Sequence, residues 1–200
     1  MATEIEIYVR QMAEVRHRLG LVQAVLAGGV RTGHQTFDAE LIFVQLRKTL
    51  ELIAFGSLSA NKQKFSQVYK KFSDQWSARR LFRDLERVNP NFYPEPLSEP
   101  KQLPRTGGPR HFHFDRPTDG FMTRDEFVGL YDASAGVLHI RNPFKAGDPT
   151  VHIGYSVDQW VGRIQRLLSW HLLHLTDGGV WVVTIPAEGD VQAWPAAPND

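Results

Sequence analysis

The stretch Phe37–Ser57, FDAELIFVQLRKTLELIAFGS, constrains this chain most. At helical spacing Phe43, Leu46, Leu50, Ile53 and Ala54 form one apolar stripe, and Leu41, Ile42, Val44, Leu52 and Phe55 cover most of the remaining surface. A helix that is apolar on nearly every side belongs at the centre of a bundle, with other elements packed around it. Glu40, Arg47 and Glu51 form a polar line within that surface. Long charged side chains are rarely buried unless paired, so Arg47 is expected to bond a carboxylate inside the fold.

The neighbouring segments supply partners for this helix. Residues 3–26 carry Ile5, Tyr8, Val9, Met12, Val15, Leu19, Val22 and Leu26 at i, i+3, i+4, i+7 spacing, which predicts a first helix. The turn AGGVRTGHQ follows, short enough to set the two helices antiparallel. From Ser59 to Asn89 the pattern stays helical, in two pieces with a break near Ser73–Asp74. Phe65, Tyr69, Phe72 and Trp76 form an aromatic stripe there, which reads as core or, alternatively, as a stacking surface for a ligand or base.

Residues 89–117 hold seven of the twelve prolines, which break helices and lack a ladder donor. This predicts a long, partly extended crossover, with HFHF near its end as a short strand. Thr123 with Glu126 and Ser156 with Gln159 fit the capping box. They open helices expected to run to about Leu138 and about Leu175. VWVVTIP then reads as a buried strand and VQAW as its hairpin partner. The fold class expected is α+β, mainly helical: an antiparallel helix bundle with a small C-terminal antiparallel β-sheet or hairpin. The organisation expected is a single domain over 1–200. Within it, residues 1–89 are helical, 90–117 form the proline-rich crossover and 118–200 mix helix and strand.

Composition narrows the function classes. A hydrophobic share of 42% with 22% charged residues supports an ordinary globular core. With no cysteine there is no disulfide, thiol nucleophile or Cys-ligated metal, and a reducing cytoplasm is the expected location. The charged N-terminal segment reads as neither a signal peptide nor a membrane span. No phosphate-binding Gly-rich loop, nucleophile elbow, HExxH or calcium loop occurs, and no cofactor is expected.

Four constellations bear on chemistry. Residues 60–88 place eight basic against three acidic side chains, a local charge of +5 in a chain whose total is +1. Arg80, Arg83 and Arg87 share one helical face, and guanidinium forks match phosphate oxygens, so they are candidates for nucleic-acid binding; a solvated helix face is the alternative. His111, His113 and Asp115 alternate and would share one face of a strand, as candidate metal ligands or as an ordinary half-exposed strand. His171 and His174 fall late in the last helix, where His171 continues the apolar stripe as a hydrogen-bonded core histidine. His139, Arg141 and Asn142 cluster where a helix stops before Pro143, a junction that presents polar groups to a cleft or simply ends the helix.

The long antiparallel helices, with the Arg141-Asn142 pair near a helix end, resemble HEPN domains. These are small helical domains of prokaryotic toxin–antitoxin and phage-defence systems, many of them metal-independent ribonucleases. Their signature is an arginine, four to six residues, then a histidine. That spacing occurs at Arg10–His17, Arg105–His111 and Arg166–His171, whereas His152 lies too far from Arg141 to complete it. The resemblance implies that an arginine and a histidine from residues 131–152 meet in a cleft or across a homodimer. The histidine, His139, would act as acid or base on an RNA 2′-hydroxyl.

Three functions therefore stand as expectations. The first is a cytoplasmic accessory or binding module, contacting RNA, DNA or a protein partner but no membrane, and touching nucleic acid through Arg80, Arg83 and Arg87. The second is a HEPN-like ribonuclease using His139, Arg141 and Asn142. The third is a metal-binding protein using His111, His113 and Asp115.

Overall fold

The computed structural model describes residues 3–68, 78–103, 112–140, 144 and 150–196. Two long helices, α1 (Glu4–Leu26) and α2 (Gln35–Ala60), form its spine. Their pairing is antiparallel: Arg18 of α1 bonds Gln45, while Gln11, two turns earlier, receives the hydroxyl of Ser59, four turns later on α2. The turn between them uses Gly28 at φ +78°, a left-handed conformation that favours glycine. Asp38 stabilises this turn by accepting from the amide and hydroxyl of Thr32, and these bonds, with Arg31 nearby, hold its carboxyl below the usual range. Close approach of the two helices depends on Gly56, where an added Cβ would stand 3.1 Å from both Met12 and Tyr8.

As its sequence requires, α2 is covered from several directions. Tyr8, Met12, Val15, Leu19 and Val22 of α1 are buried against one side. The short helix α3 (Lys62–Val68), then α4 (Ala78–Val88) and α5 (Arg124–Leu138), cover others. Arg47 leaves α2 towards α5, its guanidinium 4.0 Å above the Tyr131 ring and Nη1 donating to the Tyr131 carbonyl and the Ser134 hydroxyl. Its carboxylate partner is Glu51 of its own helix, at 3.5 Å. The expected pairing is thus present but half-exposed, and the buried contacts are made to a carbonyl, a hydroxyl and a ring.

Both predicted capping boxes are formed, by Thr123 with Glu126 at α5 and by Ser156 with Gln159 at α6 (Val157–Leu168); Thr3 and Glu6 make a third at α1. Glu126 also receives Arg163 of α6 at 2.6 and 2.7 Å and the Tyr155 hydroxyl, joining the two helices. Burial opposes its ionisation, but these donors and the Thr123 amide outweigh it and lower its pKa. Phe82 of α4 stacks on Phe127 of α5 at 4.2 Å, with Phe92 and Tyr93 packed edge-on around them.

The last predicted helix is shorter than its periodicity implied. It stops at Leu168, and Trp170–His174 is instead strand β4. WHLLH satisfies either period, since a helical stripe would bury His171 with Leu172 and a strand buries His171 with Leu173; pairing with the following strand decides. That strand, β5 (Val180–Thr184), and β6 (Gln192–Pro195) form the expected hairpin. The crossover supplies β1 (Glu95–Pro96), so the sheet order is β1-β4-β5-β6, antiparallel throughout. The HFHF segment contributes β3 (Phe112–His113), paired with β2 (Lys101–Gln102) in a separate two-stranded ribbon. The break expected near Ser73–Asp74, with Tyr69, Phe72 and Trp76 of the aromatic stripe, lies outside the described residues; Phe65 is fully buried, as a core position should be.

One face of the four-stranded sheet meets α1 through a hydrogen bond between two fully buried groups. The Tyr8 hydroxyl lies 2.7 Å from His171 Nε2, and His171 Nδ1 lies 2.9 Å from the Leu168 carbonyl. A carbonyl only accepts, so Nδ1 carries the proton, and Nε2 accepts from the tyrosine. Burial lowers the imidazole pKa to about 4, against the smaller opposing effect of the Leu168 bond, and pushes the tyrosine pKa upward.

Two outcomes follow from this pair. Tyr8→Phe leaves a buried acceptor without a donor and should cost about 1–3 kcal/mol in urea unfolding at pH 7.5. Because the unfolded chain takes up a proton near pH 6.5 and the folded one only near 4, this residue's contribution is complete above pH 6.5. It declines as pH falls between those values, by roughly 3 kcal/mol at pH 4. A His171→Gln variant should show a correspondingly shallower loss of stability over that window.

Candidate functional site

The surface of α4 follows from its amphipathic sequence. Leu81, Phe82, Leu85 and Val88 are buried, and the opposite side exposes Arg79, Arg80, Arg83, Glu86 and Arg87. At 100° per residue Arg80, Arg83 and Arg87 fall within a sector about 60° wide and along about 10 Å of helix. The predicted nucleic-acid-binding residues are therefore together on one solvent-facing surface.

Their electrostatic partners matter as much as their spacing. Arg79 pairs with Asp132 of α5, and Glu86 is occupied by Arg124. Buried Asp84 stands 3.8 Å from both Arg83 Nε and Arg87 Nη1, too long for hydrogen bonds. Arg80 has no ion-pair partner among the described residues. Arg83 and Arg87 side chains are 63% and 66% exposed, so their donors remain available to an anion.

Two of the three predicted metal ligands meet in the β2–β3 ribbon. His113 Nε2 lies 3.1 Å from Asp115 Oδ1, but Lys101 Nζ occupies Oδ2 at 2.6 Å. The lysine first, and then His113, holds the Asp115 carboxyl below the usual range. A cation of the protein's own therefore stands at the carboxylate a metal would use. His111 lies outside the described residues, and among those described no group of three or more His, Asp or Glu is placed to hold a metal ion. Replacing Lys101 by Met should raise the Asp115 pKa towards the ordinary carboxylate value, read by carboxyl carbon NMR across a pH series.

The junction after α5 is described only as far as residue 140. His139 is the C-cap of α5, exposed, its amide bonded to the Ala135 carbonyl; Arg141 and Asn142 lie outside the described residues. Of the Arg–His spacings, Arg105 and His111 also lie outside them. Arg166 faces solvent from α6, while His171 is in the core. Exposed Arg10 lines an open groove of about 500 Å³ with Ile5, Val9, Trp181 and Ala193.

A further cluster lies on the sheet face turned away from α1. Alternation along β4 puts His171 and Leu173 inward and Trp170, Leu172 and His174 outward. On that outer face Glu95 of β1 bridges an imidazole and a guanidinium: its Oε2 lies 2.9 Å from His174 Nε2 and its Oε1 3.0 Å from Arg116 Nε. Beside them Trp170 contacts Phe114 at 5.6 Å and stacks nearly parallel with Trp194 at 6.2 Å. Sequence reasoning missed Glu95 and Arg116 because no local spacing connects them to His174, which it placed on a helix. The alternating Trp170, Leu172 and His174 were the available signal.

Compared with protein-family models, curated proteins and solved structures, the chain matches none. Among the described residues no helix is long and apolar enough to cross a membrane.

Proposed function

We propose that the protein is a binding module that contacts the phosphate backbone of nucleic acid through α4. The observation that carries this reading is the exposed face of Arg80, Arg83 and Arg87: the Asp84 carboxylate beside Arg83 and Arg87 is buried and 3.8 Å away, and Arg80 has no ion-pair partner among the described residues. Exposed guanidinium groups separated by one helical turn each supply a phosphate contact. Such contacts release counterions, so binding weakens as salt rises. Fixed carboxylates reduce an anion-binding potential most when they lie on the same face. Here Glu86 on α4 and Asp132 on α5 are each engaged by another arginine. Backbone contacts of this kind give affinity without reading sequence, which suits an accessory role.

The test is a mobility-shift titration with mixed single-stranded and duplex RNA and DNA across a salt series. Binding at low salt should weaken steadily with added salt. The triple variant Arg80→Ala, Arg83→Ala, Arg87→Ala should lower the slope of log K against log salt by about 3. Absence of a shift at low salt, or a slope unchanged by the triple substitution, would remove nucleic acid as the partner of α4.

A further inference from the structure

The outer sheet face combines a base, an anion-binding group and an aromatic platform, drawn from three stretches far apart in sequence. A carboxylate only accepts, so the short contact to Glu95 places the His174 proton on Nε2 and leaves the Nδ1 lone pair available. Nδ1 has no hydrogen-bond partner among the described residues and is not sealed from solvent, on a side chain 24% exposed. A histidine oriented by a carboxylate, its second nitrogen open, is the arrangement of a general base. Arg116 meets the same carboxylate with Nε 3.0 Å from Oε1. Neither Nη group makes a hydrogen bond among the described residues, and the side chain is 70% exposed.

The framework holds this cluster in place. The Asn89 side chain donates to the His174 carbonyl and to Asn61 Oδ1, and Asn61 in turn donates to the Ser57 carbonyl. The end of β4 is thereby tied to α2 and α4. Phe114 precedes Arg116 by two residues, and Trp170 precedes His174 by four along β4. The Phe114–Trp170 contact lies two rungs, about 13 Å, along β4 from His174 on the same face, and is continued by Trp194, which is 43% exposed. Aromatic faces take unstacked bases, and a guanidinium takes the adjoining phosphate.

We propose that this face is a ribonucleolytic site for single-stranded RNA, with His174 as the base. His174 Nδ1 removes the proton of a ribose 2′-hydroxyl, and the 2′-oxygen forms a bond to the adjacent phosphorus. The bond from phosphorus to the 5′-oxygen breaks. The 5′-oxygen leaves with a proton from water, and the imidazolium returns its proton to that water. Arg116 holds the non-bridging oxygens, and Glu95 fixes the imidazole tautomer. The products are a 2′,3′-cyclic phosphate and a 5′-hydroxyl, and DNA, lacking the nucleophile, is not cut. This site goes beyond the α4 reading and does not depend on it.

The experiment incubates an end-labelled mixed-sequence RNA and the matching DNA with wild type, His174→Gln and Arg116→Ala, purified in parallel. Thermal melts check that each variant is folded, and exposed Arg116 provides a substitution that leaves the core untouched. Cleavage of RNA only, to cyclic-phosphate ends, slowed at least about 100-fold in His174→Gln and reduced in Arg116→Ala, is the expected result. Intact RNA with wild type, equal cleavage by folded His174→Gln, or cleavage of the DNA would overturn the proposal. So would cleavage abolished instead by His139→Ala, which would place the base at the end of α5. A mobility shift on the same samples separates the two ideas, because RNA that is bound but uncut removes the catalytic site and leaves the α4 reading standing.

Discussion

A hydroxyl and an imidazole, neither reached by water, join the helical layer to the sheet. Tyr8 can occupy its place only if something accepts its proton, and His171 can occupy its place only if it stays neutral and both its nitrogens are engaged. Gly56 admits α2 against the tyrosine ring from the other side. One buried contact therefore fixes the distance from α1 to β4 as well as the packing of α1 on α2. It also fixes which side of β4 faces outward, because His171 inward forces Trp170, Leu172 and His174 to the opposite surface.

Much of the bundle could be read from the residues, because periodicity reports burial directly. The all-round apolar character of α2 foretold its central position, and the hydroxyl–carboxamide or hydroxyl–carboxylate pairs at Ser156 and Thr123 located two helix starts. What was hidden depended on tertiary pairing. WHLLH fits both periods, and only β5 alongside makes it a strand. The prolines predicted a partly extended crossover, but not that Glu95–Pro96 pairs with β4. Of the candidate sites, the α4 arginines were visible because one helix carries all three. The Glu95–His174–Arg116 cluster was not, since its members meet only after the crossover folds back on the sheet.

The charged groups divide by how fully they are satisfied. Arg163 and Arg47 are stacked on rings and bonded to fixed acceptors, and act as clamps between helices. Arg80, Arg83 and Arg87 have long or absent partners and lie open to water. Arg116 stands between these groups, with Nε beside Glu95 and a side chain 70% exposed. A single residue type thus serves as structural support or as a donor surface according to how many of its five N–H groups the fold engages.

The prolines at the sheet margins decide how the molecule meets its own copies. In β1 the Leu97 amide bonds inward to Trp170, so the backbone of Pro96 turns outward; in β6 the Ala196 amide bonds inward to Val180, so that of Pro195 turns outward too. At each margin an outward-turned position is thus a residue with no N–H to give. A fifth strand arriving from another chain would find that rung missing on either side. The four-stranded sheet is thereby blunted against growth by strand addition at both of its margins.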